Sequence, residues 1–185
     1  MRVIAGSKRH FTLKTVPGKN TRPTQDRIKE TLFNILQTRI YGTRFLDLFA
    51  GSGGIGIEAL SRGAEFAVFA DNDKRAAAVI EDNLEHTGFT EKALVINKDI
   101  KATLRMTEKL EPFDIIFMDP PYFEGLEREV LEALADSPVV SDDTLIIVEA
   151  DLHTGFDYVE EIGLKIVRIK EYKTNMHVFI ERQEK

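Results

Sequence analysis

The chain has 185 residues, 43% hydrophobic and 30% charged, with a formal net charge of −6. That suffices for one well-packed domain and is short for two. The absence of cysteine excludes disulfides and thiolate metal sites, and no run approaches the roughly 18 apolar residues of a membrane span, so a cytoplasmic protein with no membrane association is the expectation.

The charge is unevenly spread. Residues 1–44 hold ten Lys/Arg against Asp26 and Glu30, a net of +8, and the remainder holds fifteen against twenty-nine, a net of −14. A basic end on an acidic body fits a polyanion partner met at one place, and the competing reading is a solvated basic face. Pro17-Gly18 and Thr21-Arg22-Pro23-Thr24 make residues 1–23 read as an extended basic arm ahead of a domain at 24–185. Within the arm, Arg2–Ala5 and Phe11–Leu13 read as the short strands of a hairpin.

Thr24 reads as the N-cap of a helix through about Arg39, since Ile28, Leu32, Phe33, Ile35 and Leu36 recur at helical spacing. Strands then alternate with helices. Phe45–Phe49 reads as strand and Gly54–Arg62 as helix, Phe66–Ala70 as strand and Asp73–His86 as helix. Leu94–Asn97 reads as strand, Ile100–Leu110 as helix, Asp114–Met118 as strand, Glu124–Ala135 as helix and Thr144–Glu149 as strand. Leu164–Ile169 and His177–Ile180, separated by a polar turn, read as an antiparallel pair. The alternation predicts a single α/β domain with a mostly parallel, doubly wound, Rossmann-like sheet ending in that pair.

Two segments carry chemistry. Asp47-Leu-Phe-Ala-Gly-Ser-Gly-Gly-Ile-Gly56 follows the first strand and opens a helix, with Gly51, Gly53 and Gly56 in G-x-G-x-x-G spacing. Asp71 lies twenty residues after Gly51 at the end of the second strand, where a carboxylate can hold a ribose. A nicotinamide dinucleotide and S-adenosylmethionine (SAM) share this geometry. Asp47 favours SAM, whose ammonium and sulfonium suit a carboxylate that would repel a pyrophosphate. No Lys or Arg between Asp47 and Ser61 offsets a diphosphate, and Asp99 stands where an adenine amine could be met, unless it only caps the next helix.

The second segment is Asp119-Pro-Pro-Tyr122, after the apolar run Ile115–Met118. Two prolines fix φ and leave carbonyls free to accept, flanked by a carboxylate and an aromatic face. That arrangement suits a planar amine: Asp119 and the Pro120 carbonyl accept its N–H groups, and Tyr122 stacks on its ring, unless Tyr122 merely packs on the next helix. Asp119, an acceptor only, fits guanine's adjacent N1–H and N2–H donors slightly better than adenine's donor beside an acceptor. The histidines at 10, 86, 153 and 177 share no face and receive no catalytic role.

With both segments in place the chain resembles the bacterial small-subunit rRNA guanine-N2 methyltransferases of the RsmD type, over essentially its whole length. The resemblance is carried by Met1-Arg-Val-Ile-Ala-Gly6, Thr21-Arg-Pro-Thr-Gln-Asp-Arg27 with the helix after it, Gly51-Ser-Gly-Gly-Ile-Gly56 and Asp119-Pro-Pro-Tyr122. It implies a class I SAM-dependent methyltransferase domain that methylates one guanine of 16S rRNA in the 30S subunit or a precursor, as a monomer, releasing S-adenosylhomocysteine and using no metal. The expected cofactor residues are Asp47, Phe49, Ala50, Gly51, Gly53, Asp71, Asn72, Asp99, Ile100 and Asp119; the catalytic ones are Asp119, Pro120 and Tyr122. Lys8, Arg9, Arg22, Thr24 and Arg27 are the candidates for RNA contact. The family often has Glu where Asp71 stands, which keeps the ribose chemistry. Adenine-N6 methylation of DNA or RNA, and a non-catalytic SAM-binding assembly factor, are the alternatives.

Overall fold

Strands apolar on both faces need cover on both, and the alternation supplies it. The computed structural model describes residues 1–17, 23–122 and 124–183. Among them the elements run α1 (Pro23–Leu36), β1 (Arg44–Leu48), α2 (Gly54–Ser61), β2 (Phe66–Ala70), α3 (Lys74–Thr87), β3 (Ala93–Ile96), α4 (Ile100–Thr107), β4 (Phe113–Met118), α5 (Leu126–Ala135), β5 (Val140–Asp151), β6 (Leu164–Glu171) and β7 (Asn175–Arg182). They build one sheet in the order β3-β2-β1-β4-β5-β7-β6. The first five strands in that order are parallel, and β7 runs antiparallel to both β5 and β6.

Alternate residues of the strands feed two cores. Leu46, Leu48, Ile116, Met118, Ile146 and Val148 face α4 and α5 through Leu104, Val130, Leu131 and Leu134. Phe45, Phe69, Ile115, Phe117 and Ile147 face α1, α2 and α3 through Leu32, Phe33, Ile57, Ile80 and Leu84. Each fully buried Leu, Ile or Phe contributes roughly 1.5–3 kcal/mol relative to exposure, so these two layers fix the β1–β4 neighbourhood rigidly.

Sequence and structure differ at several ends. α1 starts at Pro23, so Thr24 lies inside the first turn rather than capping it; proline's fixed φ and missing N–H suit that turn. The helix stops at Leu36, and Arg39 follows in a turn closed by its own N–H to the Leu36 carbonyl. β5 begins four residues earlier than the expected Thr144, at Val140. There the buried Thr144 hydroxyl donates to the Phe113 carbonyl at 2.6 Å and accepts from Ser141 N at 2.8 Å, across a register shift in the β4–β5 ladder.

The first seventeen residues, expected as an extended arm, are packed into the second core. A small hairpin forms (Val3 N to Phe11 O and His10 N to Val3 O, both 2.9 Å), and Val3, Leu13 and Val16 are buried. Its anchor is Glu58 of α2, which is fully buried. The Glu58 carboxylate accepts from Ile4 N at 2.8 Å, Ala5 N at 3.0 Å and Arg62 Nε at 2.8 Å, and pairs with Lys29 Nζ of α1 at 3.2 Å. Lys29 also donates to the Arg2 carbonyl at 2.6 Å. Burial pulls the Lys29 ammonium below its usual pKa, against the opposing pull of Glu58.

Removing one member of a buried charge pair costs about 3–5 kcal/mol, because the other is left buried and alone. Glu58→Ala should lower stability in urea unfolding by that order. Lys29→Met in the same background should recover part of the loss, since no buried ammonium then remains.

Candidate active site

The turn after β1 sets the site. The expected strand through Phe49 stops at Leu48 because Phe49 turns into the left-handed region, φ 60°. A phenylalanine there costs on the order of 1–3 kcal/mol and persists only where its surroundings over-determine it. Ala50 N then bonds the Ala70 carbonyl of β2 at 2.9 Å. Gly51 has φ 57°, and a Cβ there would meet nothing within 4 Å, so the backbone requires glycine while the space above it is open. At Gly56 the demand is proximity: a Cβ would stand 2.3 Å from the Phe69 ring, so only glycine lets α2 lie this close to β2.

Carboxylates tie this turn down by its N–H groups. Asp47 is buried at 1% exposure, and its Oδ2 accepts from Gly56 N at 2.8 Å. Burial pushes its carboxyl up to about 7, with Asp71 adding and the Gly56 N–H opposing. Asp71 Oδ2 accepts from Gly51 N and Oδ1 from Asp73 N, both at 2.9 Å, so one side chain joins the turns after β1 and β2. Asn72 beside it is exposed. Asp99 is exposed, and its Oδ1 caps α4 by accepting from Ala102 N at 2.8 Å, with Ile100 half-buried on the α4 side. Two asparagines missed by the sequence reading complete the edge. Asn97 Nδ2 donates to the Asp71 carbonyl at 2.8 Å, and the buried Asn83 Nδ2 donates to the Ser52 carbonyl at 2.9 Å.

Asp119-Pro-Pro-Tyr122 begins one residue past β4, whose Met118 pairs with Leu48 of β1. The two chemical segments therefore leave adjacent strands at the same carboxyl edge. The sheet order reverses between these strands, and crevices of that kind bind ligands in open α/β sheets. Asp119 is exposed, Pro120 buried and Tyr122 half-buried. The Tyr122 hydroxyl donates toward Glu149 Oε1 from 3.5 Å. Its pKa lies well above the ordinary tyrosine value, through burial first and then the Glu149 and Asp119 carboxylates. Glu149 in turn contacts Asn175 and His177 of β7. None of these three was singled out from sequence; the one available signal was an acidic residue closing the apolar run Leu145–Val148 at the same edge.

The candidate RNA contacts lie elsewhere. Arg9 and Arg27 line one open depression of about 530 Å³, shared with Arg2 and His10 and also with Asp26 and Glu30. Arg2 is engaged by Asp26 at 3.2 Å. The Lys8 backbone N–H donates to Ser61 Oγ at the carboxyl end of α2, a helix of eight residues whose other end carries the glycine turn, so about 12 Å of helix separates them. The Lys8 ammonium stands over the Phe11 and Phe89 rings, 5.5 and 5.7 Å from their centroids. Arg22 and the Thr24 side chain lie outside the described residues. Among the described residues, no group of three or more His, Asp or Glu is placed to hold a metal ion, and no helix is long and apolar enough to cross a membrane.

Comparison with known proteins agrees with this geometry. The family model described as "Conserved hypothetical protein 95" matches residues 1–181. YlbH of Bacillus subtilis is 41% identical over 172 residues, covering 92% of each chain. Ribosomal RNA small subunit methyltransferase D of Escherichia coli K12 is 37% identical over 159 residues, 86% of this chain and 79% of that one. The solved structure of yhhF from Escherichia coli superposes with a TM-score of 0.83 at 33% identity, over 100% of this chain and 99% of the other. The fold is that of the Rossmann-like SAM-dependent methyltransferases. With a glycine turn and Asp119-Pro-Pro-Tyr122 on neighbouring strand ends and these relatives along its length, the chain belongs to the RsmD-type family of small-subunit rRNA methyltransferases.

Proposed function

We propose that this rRNA methyltransferase moves the methyl group of SAM to the N2 amine of a guanine in 16S rRNA, presented by the small subunit or a precursor particle. The observation that carries the reading is the convergence, at the ends of β1 and β4, of the glycine turn with its carboxylates and Asp119-Pro-Pro-Tyr122. The residues fit a nucleoside bearing a positive charge. Gly51 leaves open space, Asp71 follows β2 where a ribose diol would be met, and Asp99 stands after β3 as the N-cap of α4. Asp47 offers a buried carboxylate whose ionisation a nearby cation would favour. SAM bound there supplies an electrophilic methyl group.

What the chain's own residues do follows from their chemistry. An aromatic amine is a weak nucleophile because its lone pair is delocalised into the ring. Asp119 and the Pro120 carbonyl, accepting its two N–H groups, draw the nitrogen toward tetrahedral geometry. The Tyr122 ring supplies a face for a base unstacked from its RNA. The buried Pro120 and half-buried Tyr122 limit water around the amine. Catalysis here is chiefly positioning.

Incubating the protein with labelled SAM and small subunits lacking the modification, then mapping the label by mass spectrometry, tests the reading. Label on a guanine N2 supports it, whereas label on adenine, or none while SAM still binds, overturns it. Asp119→Ala should abolish transfer and leave SAM affinity within about twofold. Asp71→Ala should weaken SAM binding by roughly 10- to 100-fold, the worth of a charged hydrogen bond. Rising salt should weaken RNA binding steeply and SAM binding little.

Asp47 gives a prediction of opposite sign for stability and function. Its carboxyl rises from 3.8 to about 7 on folding. The folded state therefore holds its proton more tightly, and the stabilisation present below pH 4 is lost as pH climbs to 7, by on the order of 4 kcal/mol. Asp47→Asn should remove that decline, making the ligand-free protein more stable than wild type at pH 8, while weakening SAM binding. Urea unfolding at pH 5 and pH 8, with calorimetric titration of SAM, measures both.

A further inference from the structure

Glu149 stands beside the motif through strand register. Met118 of β4 pairs in parallel with Val148 of β5, so Asp119, the first residue past β4, comes beside Glu149, which is still within β5. Alternation puts Glu149 on the face of Ile147 and Phe117, and the antiparallel ladder sets it opposite His177.

Each Glu149 oxygen is engaged. Oε1 accepts from Asn175 Nδ2 at 2.6 Å, and Oε2 lies 3.1 Å from His177 Nε2. A carboxylate only accepts, so Nε2 carries a hydrogen toward it, and His177 Nδ1 shares a hydrogen bond with the Tyr172 hydroxyl at 3.1 Å. The His177 ring is wedged edge-on against Phe117, Tyr172 and Phe179. His177 is 1% exposed and the Asn175 side chain is buried too. Valine or isoleucine on β7 would satisfy these positions with no polar group to desolvate. The Tyr122 hydroxyl completes the cluster, reaching Glu149 Oε1 at 3.5 Å, with burial and the two neighbouring carboxylates keeping it protonated and so a donor.

A tyrosine in a turn after two prolines can still swing its ring about two side-chain torsions. Anchoring the far end of the ring removes that freedom, and displacing a reacting group by about 1 Å can cost 100-fold in rate. We propose that Glu149, braced by Asn175 and His177, is a positioning residue for methyl transfer: it holds the Tyr122 hydroxyl and thereby fixes the plane on which the acceptor base lies. This rests on the reading of Tyr122 as the face for that base. His177 acts through Glu149, and Asn175 acts both through Glu149 and by its own hydrogen bond to the Tyr122 hydroxyl.

The test is a double-mutant cycle with small subunits as substrate, measuring kcat, KM for the particle, SAM affinity and melting temperature. Tyr122→Phe keeps the ring and removes only its anchor, and Glu149→Ala removes the anchor's partner. Each should lower kcat about tenfold with SAM affinity within about twofold, and the double variant should be no slower than the slower single one. Glu149→Gln, whose carbonyl can still accept from Tyr122 and Asn175 while His177 changes tautomer, should restore most of kcat. Losses that multiply in the double variant overturn the inference, and so does Tyr122→Phe at wild-type speed, which decides the matter even if Glu149→Ala fails to fold. Wild-type protein that methylates no rRNA overturns both this inference and the proposed function, whereas active wild type with independent losses overturns this inference alone.

Discussion

The site depends on how the backbone N–H groups of the turn after β1 are satisfied. Ala50 N takes the Ala70 carbonyl of β2, but Gly51 N is left without a sheet partner and the first turn of α2 adds unpaired donors of its own. Asp47 and Asp71 supply the acceptors, one from within β1 and one from the end of β2. Around that pinned backbone, Phe49 and Gly51 adopt left-handed conformations and the space above Gly51 stays clear. Asp47 is held where its charge is costly, which makes the turn a place primed for a cation.

Much of this was legible in sequence because it is local. Glycine spacing, a carboxylate twenty residues on, and an apolar run followed by Asp-Pro-Pro-Tyr are patterns along the chain, and parallel α/β topology brings strand ends to one edge. Helix α3 came within one residue at each end, since Asp73 caps one end by accepting from Arg75 N and Gly88 closes the other with φ 70°. The start of β5 was missed because Ser141-Asp142-Asp143 reads as a turn, and only the buried Thr144 hydroxyl carries the strand across it. The helix α1 begins one residue before Thr24, its expected cap, because proline's fixed φ suits a first helical turn.

The Glu149 cluster was illegible for a different reason. Its members come from residues 122, 149, 172, 175 and 177, and nothing along the chain says that β7 inserts between β5 and β6. With the last two strands read simply as a terminal hairpin, His177 had no partner to reach. Placing β7 beside β5 sets His177, given no role from sequence, opposite Glu149 and within 3.1 Å of its carboxylate. Antiparallel insertion is thus what brings Asn175 and His177 to the edge that carries Asp119-Pro-Pro-Tyr122.

The packing of residues 1–17 limits how this protein can vary. Charges at Arg9 or Arg27 stand on the surface and can be exchanged freely as far as the fold is concerned. The backbone beneath them cannot: Ile4 and Ala5 spend their N–H groups on Glu58, and Lys14 exchanges two hydrogen bonds with the same Asn83 that holds Ser52 in the glycine turn. A shortened or re-routed amino terminus would loosen the glycine turn as well as remove positive charge. Surface charge on this segment can therefore be retuned by side-chain replacement, one residue at a time, but the segment cannot be traded for another without cost to the fold.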